Sequence, residues 1–144
     1  MSYWDTSALV KLSVAEVDSA QFQHLAGNAA CIMTAAIARF EARTVFRRRE
    51  AEGVLPVGEA AILSAEMDRD IADGRVVIQA MDTSVEHDFA KVLELCFSQT
   101  PIIFIRTVDA LHIASALASG KTEFVTADVR QRAAAERMGL SVKP

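Results

Sequence analysis

The chain has 144 residues, of which 51% are hydrophobic and 24% charged, a composition typical of a globular protein with a buried core and not of a disordered chain. A net charge of −4 argues against a general nucleic-acid-binding domain, because such domains are usually basic. It does not exclude a nuclease whose carboxylates bind divalent cations.

Short apolar strands alternate with amphipathic helices, a pattern that predicts an α/β fold with a mainly parallel sheet. The first strand covers residues 2–4, and a helix follows from about residue 7 with Thr6 or Ser7 as its N-cap. Segment 101–105 is strand-like but ambiguous, and Thr107 is the expected N-cap of the helix after it. The other predicted helices cover 17–26, 35–52, 56–72, 85–97, 107–119 and 128–138, and the other strands 31–34, 76–78, 123–126 and 140–142.

The sequence contains no repeats and no linker-like stretch, so we expect residues 1–144 to form a single domain. The start of the chain lacks the basic region of a secretory signal, and no apolar run approaches the ~20 residues of a membrane span. Cys31 and Cys96 have no metal-ligand spacing and are expected to be core residues. Together these features predict a cytoplasmic protein that does not contact a membrane.

Four acidic residues are candidates for a functional site because of their positions. Asp5 and Asp128 each lie where a strand leads into a helix, and ligands of open α/β sheets bind beyond such strand ends. Asp109 lies in the first turn of its predicted helix. Glu41 lies two turns into the predicted helix 35–52, on a mostly apolar face.

Carboxylates that are brought together repel one another unless a cation lies between them. Hard divalent cations prefer oxygen ligands, so this set predicts Mg²⁺ or Mn²⁺, either of which can polarise a phosphodiester and activate water for in-line attack. Structural roles remain open for each residue. Asp5 and Asp128 are possible helix caps, Asp109 a possible partner of the helix dipole, and Glu41 a possible partner of Arg48 or another arginine.

Three segments, Asp5–Leu12, Asp109–Ala114 and Phe124–Asp128, resemble the three signature blocks of the PIN domain. The helix that carries Glu41 is similar to the helix that carries the family's internal glutamate. Within that family the sequence most resembles the VapC toxins, the ribonucleases of type II VapBC toxin–antitoxin systems. The resemblance extends over nearly the whole chain.

The resemblance implies a three-layer α/β/α sandwich whose parallel sheet has the strand order 3-2-1-4-5. It also implies that Asp5, Glu41, Asp109 and Asp128 bind Mg²⁺ or Mn²⁺. The hydroxyl groups of Ser7 and Thr126, together with Thr6, would position the carboxylates or water. His112 is expected to pack and hydrogen-bond beneath the site, with general acid–base catalysis as the alternative.

Basic residues crowd the helix that carries Glu41. Arg48, with its neighbouring arginines, forms either a solvated face or a rim that contacts RNA phosphates or acidic residues of an antitoxin. Arg130, just beyond Asp128, is expected to have a similar role, and Arg106 is expected near the mouth of the site.

These observations predict a metal-dependent endoribonuclease, with RNA as substrate and a VapB-like antitoxin as partner. The resemblance also implies a homodimer, possibly within a hetero-oligomer with the antitoxin, for which the helices at 17–25 and 57–71 offer a partly apolar face. Two alternatives are a catalytically silent PIN-like module that binds a protein, and a cellular RNA-processing or DNA-structure nuclease on the same fold.

Overall fold

A computed structural model describes residues 1–144 as one five-stranded sheet flanked by seven helices. All strand pairs are parallel and the order is β3-β2-β1-β4-β5, which confirms the predicted PIN-like α/β fold. The strands are β1 (Tyr3–Trp4), β2 (Ile32–Ala35), β3 (Val76–Gln79), β4 (Glu123–Val125) and β5 (Ser141–Lys143). The helices are α1 (Thr6–Ser13), α2 (Ser19–Gly27), α3 (Ala38–Ala51), α4 (Glu59–Ala72), α5 (Thr83–Ser98), α6 (Thr107–Ala118) and α7 (Val129–Arg137).

The sheet separates two layers of helices because successive side chains of a strand point to opposite faces. Tyr3 is fully buried in a cluster with residues of α5, α6 and α7, and its ring stacks on that of Phe124 at a centroid distance of 5.5 Å. Trp4 is fully buried on the opposite face, where it packs with residues of α1, α2 and β2. None of the helices is long and apolar enough to span a membrane.

Strand β1 lies at the centre of the sheet, between β2 and β4. Trp4 is in register with Val125, and the Asp5 amide donates a hydrogen bond to the Val125 carbonyl at 3.1 Å. The first residues after these two strands therefore lie side by side at the carboxyl edge of the sheet. This register is what places Asp5 near the chain that leads to Asp128.

Three local predictions differ from the structure. The N-cap of α1 is Asp5 and not Thr6 or Ser7, because the Asp5 carboxylate accepts the Ala8 amide at 2.9 Å. Arg106, not Thr107, occupies the N-cap position of α6, and it makes no side-chain capping bond. Segment 101–105 forms no strand, although Ile103 and Ile105 pack against the core.

The helix α3 begins three residues later than predicted, because β2 continues through Ala35 and a turn follows it. Glu41 therefore lies in the first turn of α3 and not two turns into it. The positive end of the helix dipole is close to this carboxylate and favours its charged form.

Candidate functional site

A pocket of about 380 Å³ opens at the carboxyl edge of the sheet, where α1, α3, α6 and α7 converge. All of the sequence-predicted acidic residues line it, namely Asp5, Glu41, Asp109 and Asp128. Each comes from a different part of the chain. Asp5 and Asp128 are the N-caps of α1 and α7, and Glu41 and Asp109 lie in the first turns of α3 and α6. The fold therefore gathers four carboxylates that are distant in the sequence.

Asp5 is 2% exposed and its carboxylate is held by hydrogen bonds on both oxygens. Oδ1 accepts bonds from the Ala8 amide at 2.9 Å and from the Ser7 hydroxyl at 2.8 Å. Oδ2 accepts the Thr126 hydroxyl at 2.6 Å and is 2.9 Å from the Ser7 hydroxyl. Desolvation by burial nevertheless raises the pKa of Asp5, although His112 and these hydrogen bonds act in the opposite direction. A cation in the pocket would favour the ionised carboxylate.

Thr126 links the ends of β1 and β4 through one hydroxyl group. The hydroxyl donates to Asp5, as described above, and its oxygen accepts the Asp128 amide at 3.0 Å. The Asp128 carboxylate in turn caps α7, since Oδ1 accepts the amides of Arg130 at 2.8 Å and of Gln131 at 3.3 Å. The two strand-end aspartates are thus both helix caps and pocket residues, so the structural and functional interpretations do not compete.

Glu41 is held by His112 and Thr6. Its Oε2 atom lies 2.7 Å from His112 Nε2 and accepts the Thr6 hydroxyl at 2.5 Å. Desolvation would raise the pKa of Glu41, but the hydrogen bonds to His112 and Thr6 outweigh it and lower that pKa. Glu41 lines the pocket, and its Oε1 atom makes no hydrogen bond within the protein.

His112 is buried beneath the pocket, as predicted, with 2% of its surface exposed. The Tyr3 hydroxyl lies 2.8 Å from its Nδ1 atom. Because an ionised Glu41 can only accept, His112 Nε2 is the donor at this contact. Burial raises the pKa of Tyr3, which keeps that hydroxyl protonated. His112 therefore has a holding role that uses both ring nitrogens.

Arg106 lies over Asp109 and Asp128 at the mouth of the pocket, where it was expected. Its Nε atom donates to Asp109 Oδ2 at 2.7 Å, and Nη2 donates to Asp109 Oδ1 at 3.2 Å and to Asp128 Oδ2 at 3.1 Å. Hydrogen bonding and the charge of Asp109 raise the pKa of Arg106, with Asp128 and Glu41 adding to the effect. The guanidinium group is therefore surrounded by acidic residues.

The donor set fits a hard divalent cation, because the pocket presents carboxylate and hydroxyl oxygens and no thiolate. Asp5, Glu41, Asp109 and Asp128 are the residues that would hold it. In the conformation of the structure, no three His, Cys, Asp or Glu side chains are already close enough together to form a metal site. The guanidinium group of Arg106 instead neutralises Asp109 and Asp128.

Arg48 and Arg130 lie outside the pocket, and two other basic residues line it. Arg48 is exposed, does not pair with Glu41 and does not line the pocket. The side chain of Arg130 is also exposed outside the pocket lining, and only its backbone amide contacts Asp128. The pocket is instead lined by Lys11 and Arg49, which both pair with Glu16 at its rim.

Gln131 is a pocket residue that sequence reasoning missed. It is 1% exposed, its Nε2 atom donates to the Asp109 carbonyl at 3.1 Å, and its Oε1 atom lies 3.1 Å from the Thr126 hydroxyl. Gln131 therefore links the backbone of Asp109 in α6 to Thr126, the residue after β4. The available signal was its spacing, since Gln131 follows the N-cap Asp128 by three residues, the position of the second member of a capping box.

Comparison with known proteins gives one family match by sequence. A sequence model of the PIN domain matches residues 2–137. This match covers all four acidic residues of the pocket and the segments that hold them. No curated protein matches the chain significantly in sequence.

Solved structures with the same fold are more distant in sequence. The toxin VapC20 of Mycobacterium tuberculosis, described as cleaving the sarcin-ricin loop, aligns with a TM-score of 0.70 and 18% identity over 93% of this chain and 95% of that one. VapBC2 of Rickettsia felis, bound to a DNA fragment from its promoter, aligns with a TM-score of 0.68 and 17% identity over the whole of both chains. FitAcB of Neisseria gonorrhoeae aligns with a TM-score of 0.68 and 15% identity over 100% of this chain and 97% of that one.

Proposed function

Because the chain belongs to the PIN domain family, we propose that it is a metal-dependent endoribonuclease, and that it is the toxin of a VapBC-type pair. The observation that carries the proposal is the gathering of Asp5, Glu41, Asp109 and Asp128 around one pocket at the carboxyl edge of the sheet. Carboxylates that share a pocket repel one another, so their gathering favours a bound cation there. Such a set suits the binding of Mg²⁺ or Mn²⁺.

When bound, a divalent cation would polarise the scissile phosphodiester and lower the pKa of water in the pocket. The residues of this chain supply the arrangement. Ser7 and Thr126 orient the Asp5 carboxylate, while His112 and Thr6 orient Glu41 and keep it ionised. Gln131 fixes the backbone that carries Asp109. This chain needs no nucleophilic side chain for phosphodiester hydrolysis.

RNA is the proposed substrate on two grounds. The sequence resembles VapC toxins, and VapC20, which shares the fold, is described as cleaving the sarcin-ricin loop. The exposed arginines Arg48 and Arg130 lie outside the pocket itself and are proposed to contact more distant phosphates of a long substrate.

An antitoxin is the proposed protein partner, since VapBC2 and FitAcB share the fold. We further propose that residues 1–144 act as one nuclease domain in the cytoplasm and pair as a homodimer through α2 and α4. Val17 and Val57 beside these helices are fully exposed and Ile62 of α4 is half exposed, so an apolar surface is available there. Light scattering of the purified chain, with and without a coexpressed antitoxin, would measure both associations.

The test of the proposed function is RNA cleavage in Mg²⁺ or Mn²⁺ by the wild type, Asp5→Asn and Asp109→Asn. Each variant should lose roughly 100-fold or more of the activity, since even the residues that orient metal ligands are worth about 10- to 100-fold. Asp73→Asn is the matched control, because Asp73 carries the same charge on an exposed turn, where it pairs with Arg75.

RNA binding should be measured in parallel with the cation removed. Each Asp→Asn change makes the protein less negative and should not weaken the attraction of RNA. A loss of cleavage with unchanged RNA binding therefore identifies a catalytic defect. Full activity of Asp5→Asn or Asp109→Asn, or undiminished cleavage in a chelator, would overturn the proposal. Complete inactivity of the wild type alongside antitoxin binding would favour the silent protein-binding module.

A further inference from the structure

Arg106 is an unusual pocket residue because its partners are two of the proposed metal ligands. The other two cations that line the pocket pair with acidic residues outside the proposed ligand set. Lys11 pairs with Glu16 and Asp18, and Arg49 with Glu16 and Glu52. Arg106 alone among them pairs with Asp109 and Asp128.

The hydrogen bonds of Arg106 use the oxygens that a cation would need. Both oxygens of Asp109 accept bonds from Arg106 and from no other group. In Asp128, Oδ1 caps α7 and Oδ2 accepts Arg106. A cation that bound Asp109 and the Oδ2 atom of Asp128 would therefore compete directly with the guanidinium group.

The position of Arg106 also allows its side chain to move. Its side chain is 62% exposed, whereas those of Asp109 and Asp128 are 13% and 22% exposed, so the arginine covers the two acidic groups from the solvent side. Its backbone is extended at the N-cap position of α6, after a segment without regular structure. The side chain can therefore leave the carboxylates without disturbing the hydrogen bonds of α6.

We propose that Arg106 is an internal counter-ion that exchanges between two partners, an inference that rests on the proposed function. Without a divalent cation, its guanidinium group neutralises Asp109 and Asp128 and holds them together. Cation binding displaces it, and the released guanidinium group, still at the mouth of the pocket, binds a phosphate of the substrate, whose oxygens suit its planar fork. The metal affinity of the resting protein is thereby lowered, and the freed arginine contributes to substrate binding only in the loaded protein.

The first test is calorimetric titration of the metal-free protein with Mn²⁺. Arg106→Gln, which keeps a polar side chain without charge, should bind Mn²⁺ roughly fivefold more tightly than the wild type, a modest gain because the displaced ion pairs are partly exposed. Arg106→Lys keeps the charge but lacks the planar guanidinium group, so its Mn²⁺ affinity should lie between those of the wild type and Arg106→Gln. Arg137→Gln is the matched control, since Arg137 is exposed at the far end of α7 and the change removes the same charge.

The second test is thermal unfolding, which does not depend on activity. Arg106→Gln should unfold at a lower temperature than the wild type in a chelator, because Asp109 and Asp128 then repel each other without a counter-ion. Saturating Mn²⁺ should close this gap. A purely structural role for Arg106 would leave the same gap with and without the cation.

The third readout is the kinetics of RNA cleavage at saturating Mn²⁺. Arg106→Gln should raise KM about tenfold with a smaller change in kcat, since a charged hydrogen bond to a phosphate is lost. If the wild type binds Mn²⁺ and cleaves RNA but Arg106→Gln binds Mn²⁺ no more tightly, the exchange is wrong and the proposed function stands. If the wild type binds no divalent cation, the proposed function fails and the exchange fails with it.

Discussion

Thr126→Val tests whether the Thr126 hydroxyl is what holds the Asp5 carboxylate in place. The change keeps the shape of a fully buried side chain and removes the 2.6 Å bond to Asp5 together with the acceptor of the Asp128 amide at 3.0 Å. A hydrogen bond to a charged group is worth about 1.5–3 kcal/mol, and an unsatisfied buried amide costs about 1–3 kcal/mol. The free energy of unfolding should therefore fall by about 3–5 kcal/mol, which corresponds to a Tm lower by roughly 10–15 °C.

Thr34→Val is the matched control for this prediction. Thr34 is also fully buried, but its hydroxyl donates to an uncharged group, the Trp4 carbonyl, at 2.7 Å. The control should cost only about 1 kcal/mol. Urea unfolding of both variants in a chelator would give the two free energies, with circular dichroism to follow the helices. If Thr126→Val costs no more than Thr34→Val, the hydroxyl does not support a charged Asp5 and the reasoning is refuted.

Two further predictions concern Glu41 and the residues that hold it. His112→Phe fills a similar volume but leaves Glu41 without its ring partner, so Mn²⁺ affinity measured by calorimetry should fall about tenfold, and an unchanged affinity would contradict the holding role. The pKa of Glu41 is lower in the folded protein than in the unfolded chain, where it is about 4.3. The ionised carboxylate therefore stabilises the fold above that unfolded pKa. This stabilisation is lost as the pH falls through the lower pKa of the folded protein. Between about pH 6 and pH 3, the free energy of unfolding measured in urea should therefore fall less for Glu41→Gln than for the wild type. If both proteins lose the same free energy over this range, Glu41 does not stabilise the fold through its charge.

The sequence predicted the order of strands and helices along the chain well, because apolar strands alternate with amphipathic helices. Strands such as Val76–Gln79 are short and β-branched, and they are separated by helices that end at glycine or turn residues. The order of the strands came from the resemblance to the PIN domain and not from this alternation, since periodicity does not specify which strands are neighbours. Helix starts were less predictable, because Asp5 and Arg106 hold N-cap positions for which hydroxyl residues seemed better suited.

Asp5, Asp109 and Asp128 were predictable because each follows a strand or begins a helix, whereas Glu41 was proposed from helix phase and from the resemblance to the PIN domain. The resemblance named Ser7, Thr126, Thr6 and His112 as supporting residues, but the groups that most of them contact were not predictable, because those contacts join residues far apart in the chain. Tyr3, Glu41 and His112 are linked through one ring although Tyr3 and His112 are 109 positions apart. The pairing of Arg106 with Asp128 spans 22 positions and depends on where α7 begins relative to α6. Arg48 was the opposite case, since helix phase alone suggested a contact with Glu41 that the structure does not make.

The most direct test of the central claim is anomalous X-ray diffraction from crystals of the protein grown with Mn²⁺. The four carboxylates are proposed to bind a divalent cation in the pocket at the carboxyl edge of the sheet. The account predicts an anomalous peak within ligand distance, about 2.0–2.6 Å, of carboxylate oxygens that include Asp5 and Asp109, with Arg106 no longer bonded to Asp109. Mn²⁺ that bound only elsewhere on the protein, at concentrations that support cleavage, would contradict it.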